Sequence, residues 1–218
     1  MSLTLHFHPL ASFCWKVLVA LYENDTPFEP HLVDLGNAAE RAEFASLWPL
    51  AKFPVLVDHD QRQTIPESSI IIEYLAQHYP GRVPLVPRDP DAAREVRLRD
   101  RFYDLYVHAP MQKIVGDRLR APAQHDPRGV EDARALLATA YAMIERQAAG
   151  AAVATGAMGD AFTLADCAAA PALYYANRVQ PIGREHPNVA AYLGRLMARP
   201  SFARVIDEAQ PYFKNFPQ

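Results

Sequence analysis

The sequence predicts an α/β domain followed by an all-helical domain. Three observations lead there. Residues 1–81 read as strand, helix, strand, helix, strand, strand, helix, an order that suits one small sheet covered by helices. Residues 82–90 are extended, with Pro84, Pro87 and Pro90 spaced along them, because each proline disfavours helix in the residue before it. From Asp91 onward no stretch alternates convincingly as a strand. The expected organisation is residues 1–81, a linker at 82–90, and residues 91–218. No internal repeat is present.

The elements follow in order. Residues 3–8 set Leu3, Leu5 and Phe7 against Thr4, His6 and His8, which is strand alternation, and Pro9 stops it. Ser12 occupies an N-cap position ahead of Val17, Leu18, Ala20 and Leu21, with the helix ending near Asn24. Residues 28–35, entered by Pro27, form a second strand, and residues 38–47 a helix with Glu40, Arg41 and Glu43 on its wet face. Pro54 opens a strand at 55–57, and His59, Asp60, Gln61 and Arg62 make a polar turn. A strand at 63–65 then runs into Pro66-Glu67-Ser68, the start of a helix carrying Ile70, Ile71, Tyr74 and Leu75 on one face. In the second domain, residues 91–113 or beyond form one long helix broken or kinked near Pro110. Residues 121–127 form a loop. Helices follow at 129–148, from Thr163 through Tyr175, at 188–198 and at 201–209, while the Ala/Gly-rich residues 150–159 have no clear preference.

Half of the 218 residues are hydrophobic and 22% are charged, which indicates a packed globular chain. A net charge of -3 argues against nucleic acid or an anionic membrane as main partner. Neither a secretory leader pattern nor an apolar run of spanning length is visible. Cys14 and Cys167 are far apart and lack metal or redox-pair spacing, so a reducing, cytoplasmic setting is expected and no metal. His6 and His8 share a strand face without ligand partners nearby in sequence. They read as hydrogen-bonded strand histidines. Cys167, in an Ala-rich apolar run, reads as core.

The stretch from Lys52 to Ser69 suggests chemistry. Pro54 opens a strand, where its missing N–H is tolerated only at an edge or at the first residue. X–Pro bonds also tolerate cis, and a cis bond there would turn the peptide groups of Phe53 outward toward an extended, peptide-like ligand. Ser68 starts a helix, where free N–H groups and the dipole attract an anion. Glu67 beside it offers a carboxylate to an amine. Together these residues provide for an ammonium, a carboxylate and a short peptide backbone.

The order and size of the two domains, with the proline linker between them, resemble a cytosolic glutathione transferase. Lys52-Phe53-Pro54-Val55-Leu56 resembles the family's cis-proline segment, and Pro66-Glu67-Ser68 its γ-glutamyl site. Thr163-Leu164-Ala165-Asp166 resembles its capping box in the second domain, and Arg199-Pro200-Ser201 a late family motif. The resemblance implies a thioredoxin-like first domain, a helical bundle, usually a homodimer, glutathione as cosubstrate and a cytoplasmic role in detoxification. By the same analogy Phe53 pairs its backbone with the cysteinyl part, Glu67 meets the γ-glutamyl amine, Ser68 its carboxylate, and Lys52 the glycyl carboxylate. Thr163 and Asp166, at cap and N3, are expected to satisfy each other's amides.

The thiol then points to residues 11–14. A free thiol ionises near ~8.5, so a hydroxyl at a helix start would help by holding the thiolate. Counting back from Trp15-Lys16-Val17, the serine of serine-type classes falls near Ala11, and the cysteine of bacterial cysteine-type classes near Ser12. Ser12, Cys14 and a backbone N–H are all candidates. No tyrosine lies in this loop, which argues against a tyrosine-type mechanism. Cys14 as nucleophile would imply thiol transfer. The reaction expected is conjugation of glutathione to a small hydrophobic electrophile. The alternatives are peroxidase, isomerase, dehalogenase or thiol-transfer chemistry at the same site, or a non-catalytic ligand carrier. Tyr103, Tyr106 and His108 are candidates for lining the second-substrate pocket.

Overall fold

A computed structural model describes residues 2–150 and 161–217. The weakly patterned residues 150–159 lie almost entirely outside the described residues. Four strands, β1 (Leu3–Phe7), β2 (Glu29–Leu32), β3 (Val55–Asp58) and β4 (Gln63–Pro66), form one sheet in the order β2-β1-β3-β4. β1 and β2 are parallel, while β3 runs antiparallel to both β1 and β4. The helices of this half are α1 (Ser12–Glu23), α2 (Ala38–Leu47) and α3 (Ser68–His78). The second strand is shorter than expected from its pattern, and all four of its residues are exposed at the sheet edge.

Strand alternation sorts the side chains to two faces. Leu3, Leu5 and Leu56 join the main core with α1 and α3, whereas Val55 meets Val33 and Phe44 in a smaller cluster that brings in α2. Helix α2 starts because the Asn37 side chain accepts the amides of Ala39 at 3.0 Å and Glu40 at 3.4 Å, the usual service of an N-cap residue.

The second half contains α4 (Pro90–Phe102), α5 (Ala109–Arg118), α6 (Pro127–Gly150), α7 (Leu164–Val179), α8 (Pro187–Ala198) and α9 (Pro200–Ala209). Four of these begin at a proline. Its fixed φ suits the first helical position, where its missing N–H would have had no partner. Pro90, the last residue of the expected linker, is thus the first residue of α4.

One expectation is corrected in kind. The long helix from Asp91 is not simply kinked at Pro110. Between α4 and α5, residues Tyr103–His108 wind as a π-helix, and the Ala109 N–H reaches back five residues to the Asp104 carbonyl. Pro110 offers no N–H to the Tyr106 carbonyl and its ring crowds that group. A wider turn just before it relieves both problems.

Helix α7 opens with the expected capping box. The Thr163 amide donates to Asp166 at 2.9 Å and the Ala165 amide to the Thr163 hydroxyl at 3.3 Å. The Tyr192 hydroxyl adds a bond to the other Asp166 oxygen at 2.6 Å, which ties α8 to the same cap. The two halves share one core. Trp15 of α1, fully buried, packs its ring 4.9 Å from Tyr175 and 5.2 Å from Tyr174 of α7. Truncating a buried aromatic of this kind costs about 3–5 kcal/mol. No helix among the described residues is long and apolar enough to cross a membrane.

Candidate functional site

The register of β3 on β4 pairs Val55 with Pro66, so the residues just outside the pair, Pro54 and Glu67, are neighbours. The Phe53–Pro54 bond is cis. Glu67 has φ 70°, in the left-handed region, and directly precedes α3. That backbone turn lets the chain pass from the last strand residue into a helix within two positions. Ser68 is the first helical residue and is buried. Neither the Glu67 nor the Ser68 side chain is bonded among the described residues. Lys52, exposed at the end of the loop before Phe53, also makes no ion pair among them.

The loop before α1 is pinned from several sides. The Ala11 amide donates to the His8 carbonyl at 3.0 Å, and the Leu10 amide to His8 Nδ1 at 3.1 Å. The Tyr175 hydroxyl donates to the Leu10 carbonyl at 3.0 Å. Ser12 is not the N-cap. Ala11 flanks the helix, Ser12 is its first residue, and no side chain caps this end. The Ser12 hydroxyl is instead engaged by His108 Nε2, from the π-helical turn. The Phe13 ring lies over the same imidazole at 4.0 Å between centroids. His108 is buried, and burial, reinforced by the nearby Lys16 cation, pushes its pKa down to about 3, so the ring is neutral at physiological pH.

Between the two halves opens a cleft of about 570 Å³. Ser12, Lys52 and Phe53 line it on the sheet side. Met111, Val115 and Leu119 line it from α5 and the residue after it, together with Tyr175 and Phe216. The lining is mainly apolar with a few polar groups, the usual character of a small-molecule site. Pro54, Glu67 and Ser68 are not part of this lining; they adjoin it through Phe53. The expected residues thus fall into two connected places: a polar corner at Phe53, Pro54, Glu67 and Ser68, and an apolar cleft floored by Ser12.

Cys14 is in neither place. Its side chain is fully buried, and burial pushes the thiol up to about 12 against a bond from the His8 backbone. A thiol in that state has neither the exposure nor the thiolate fraction that a nucleophile requires. Cys167 is likewise fully buried, in α7.

A buried charge cluster was not anticipated. Lys16, 1% exposed, meets Asp100 at 2.5 Å and Asp104 at 2.9 Å, and donates to the Ser69 hydroxyl at 2.8 Å. Ser69 in turn donates to Asp100 at 2.8 Å. Burial pushes the Asp104 carboxyl up, Lys16 opposes this, and the Asp100 charge adds to it. The cluster fixes the first turn of α3, and with it Ser68, to α1 and α4. Its one sequence signal is the spacing of Asp100 and Asp104 by one helical turn; nothing local points to Lys16 as their partner. Of the three pocket candidates from this helix, His108 reaches Ser12, Tyr103 is buried in the core and Tyr106 is exposed. None of the three lines the cleft. Among the described residues no group of three or more His, Cys, Asp or Glu could hold a metal ion.

A four-stranded sheet with a cis-proline at the mouth of β3, joined to a helical bundle across an apolar cleft, defines a thioredoxin-like domain with an appended helical domain. The chain belongs to the glutathione S-transferase family. Residues 5–83 match the glutathione S-transferase N-terminal domain and residues 123–195 the C-terminal domain. A stringent starvation protein A homolog of Coxiella burnetii is 30% identical over 214 residues, covering 95% of this chain and 93% of the relative. A probable maleylacetoacetate isomerase of Caenorhabditis elegans is 29% identical over 206 residues, covering 92% and 91%. Among solved structures, a glutathione S-transferase of Methylobacterium radiotolerans in complex with glutathione sulfonate superposes with a TM-score of 0.79 at 29% identity, covering 93% of each chain.

Proposed function

We propose that the chain binds glutathione and adds its thiolate to a small hydrophobic electrophile. The observation that carries this reading is the β3–β4 register, which sets Phe53-Pro54 beside Glu67-Ser68 at the edge of a cleft floored by Ser12. The tripeptide has an amine, two carboxylates and a thiol. Glu67 receives the amine. The Ser68 hydroxyl and the first amides of α3 receive the γ-glutamyl carboxylate, helped by the helix dipole. Phe53 pairs with the peptide, and Lys52, a cation without a partner among the described residues, meets the glycyl carboxylate. The relative in complex with glutathione sulfonate supports the same ligand class.

Ser12, which lines the cleft, is the residue assigned to the thiol in this reading. Its hydroxyl and the free amides at the start of α1 hold the thiolate, which lowers the thiol pKa and raises the reactive fraction at neutral pH. Leu10, Phe13, Met111, Val115 and Leu119 hold the electrophile by apolar contact, and holding both reactants together supplies much of the rate. The same thiolate could serve an isomerisation, a reading favoured by the relative named as a probable maleylacetoacetate isomerase. The buried Cys14 speaks against thiol transfer through a protein cysteine. The outward sides of α3, α4 and the π-helical turn carry exposed Ile70, Leu98, Leu105 and Tyr106, a face suited to a second copy of the chain.

Calorimetric titration with glutathione tests the assignment. Glu67→Ala with Ser68→Ala should weaken binding by about 100-fold, as loss of charge-assisted bonds requires. Unchanged affinity in that double variant would remove the ligand assignment. Light scattering of the purified protein checks the second copy.

A further inference from the structure

We propose that His108 is a positioning residue: its Nε2–H donates to Ser12 Oγ, which leaves the serine proton free to point into the cleft at the substrate sulfur. This rests on the reading that Ser12 holds the thiolate, and it adds what makes Ser12 a donor. A lone serine hydroxyl has one proton and can spend it on any acceptor in reach. Whether that proton serves the substrate depends on which way the Ser12–His108 bond runs.

The surroundings of His108 decide the direction. Nε2 faces Ser12 Oγ, while Nδ1 is buried and has no hydrogen-bond partner among the described residues. A neutral imidazole carries one N–H. Were that hydrogen on Nδ1, it would be a buried donor with no acceptor, a rare and costly arrangement. Nε2 would then be the acceptor and would take the only proton of Ser12. The oxygen would turn lone pairs toward an incoming thiolate and repel it. With the hydrogen on Nε2, the orphaned atom is a lone pair, the bond to Oγ is satisfied, and the hydroxyl proton is directed outward. A doubly protonated ring is disfavoured by burial and by the nearby Lys16 ammonium.

The pair is therefore not a hydrolytic dyad. A general base at His108 would need a free Nε2 lone pair, an acceptor for Nδ1–H, and tolerance of the imidazolium formed. Among the described residues the buried Nδ1 has no carboxylate bonded to it. Asp100 and Asp104, the nearest acidic groups of the same helix, are committed to Lys16.

Two measurements test the role. Nitrogen-15 spectra of the histidine rings in the intact protein, with His108 assigned by its loss in His108→Gln, should show the Nε2–H tautomer. An Nδ1–H or a doubly protonated ring overturns the proposal, and this reading needs no folded variant beyond the assignment. The second measurement is the pH at which bound glutathione ionises, read from thiolate absorbance. Ser12→Ala and His108→Leu should each raise it by about one unit, a tenfold loss of thiolate. His108→Gln, whose amide can still donate, should recover part of the shift. A shift in Ser12→Ala but none in His108→Leu overturns the positioning role alone. Ionisation at the parental pH in Ser12→Ala overturns the thiolate reading beneath it, and the proposal with it.

Discussion

Glu23 and Arg199 form a two-pronged ion pair, with Nε at 2.8 Å and Nη2 at 2.6 Å from the two carboxylate oxygens, that fastens the last turn of α1 to the entry of α9. Ser201 donates a third bond at 2.7 Å. The late Arg-Pro-Ser motif is thus an interdomain clasp rather than part of the cleft.

The clasp should give the protein an acid-sensitive component of stability. Burial pushes the Glu23 carboxyl up, but the bonds from Arg199 and Ser201 and the Arg199 charge outweigh it and hold the folded pKa low. A depressed carboxyl contributes stability that is present above its unfolded pKa and is lost as pH falls through the folded value. Glu23→Gln should cost about 2 kcal/mol at neutral pH, discounted because Arg199 is partly exposed. It should also flatten the loss of urea resistance below about pH 4.5. Equal acid sensitivity in parent and variant would contradict this role.

Lys16 should be far more costly to remove than an ordinary lysine. Lys16→Met leaves Asp100 and Asp104 buried without their cation, at about 3–5 kcal/mol. Adding Asp100→Asn and Asp104→Asn should recover much of that loss, because the neutral amides need no counter-charge. Chemical denaturation of the four proteins measures the coupling. Additive losses would show that the cluster is not a unit.

Asp166→Ala removes the box at the start of α7 and the Tyr192 anchor together. The expected loss is about 2–3 kcal/mol, above the ~1 kcal/mol of a surface cap. Asp166→Asn should lose less, since an amide oxygen can still accept from Thr163. A thermal midpoint unchanged in Asp166→Ala would dismiss the structural assignment.

Neither cysteine should react with a thiol reagent in the native protein, and both should react in denaturant. Cys14→Ala should keep catalytic efficiency within about threefold. Loss of activity in that variant alone would return Cys14 to the reaction.

What the sequence disclosed follows the range of the interactions involved. Helix α2, Ala38–Leu47, is legible from helical propensity and its wet face, and the Asn37 cap that starts it is equally local. The box at Thr163 and Asp166 was legible for the same reason. The corner at Pro54 and Glu67 could be assembled from a hairpin whose strands lie next to each other in sequence. Ser12 looks like a cap in the sequence because its partner lies 96 residues away. The Lys16 cluster was hidden likewise, since its aspartates look like any wet helix face until packing encloses them. The π-helical turn left no periodic signature, only a proline beyond it.

That wide turn has a consequence for alignment around the helix axis. Asp100, Asp104 and His108 are spaced by four residues, and all three address α1, the first two at Lys16 and the third at Ser12. In an unbroken α-helix each step of four overshoots a full revolution by about 40°, so the third side chain would rotate away from the first. The extra residue per turn between Tyr103 and His108 corrects the phase and returns the imidazole to line. Deleting one residue from this turn would keep the helix but advance everything beyond it by about 100°, swinging Met111 and Val115 off the cleft as His108 leaves Ser12.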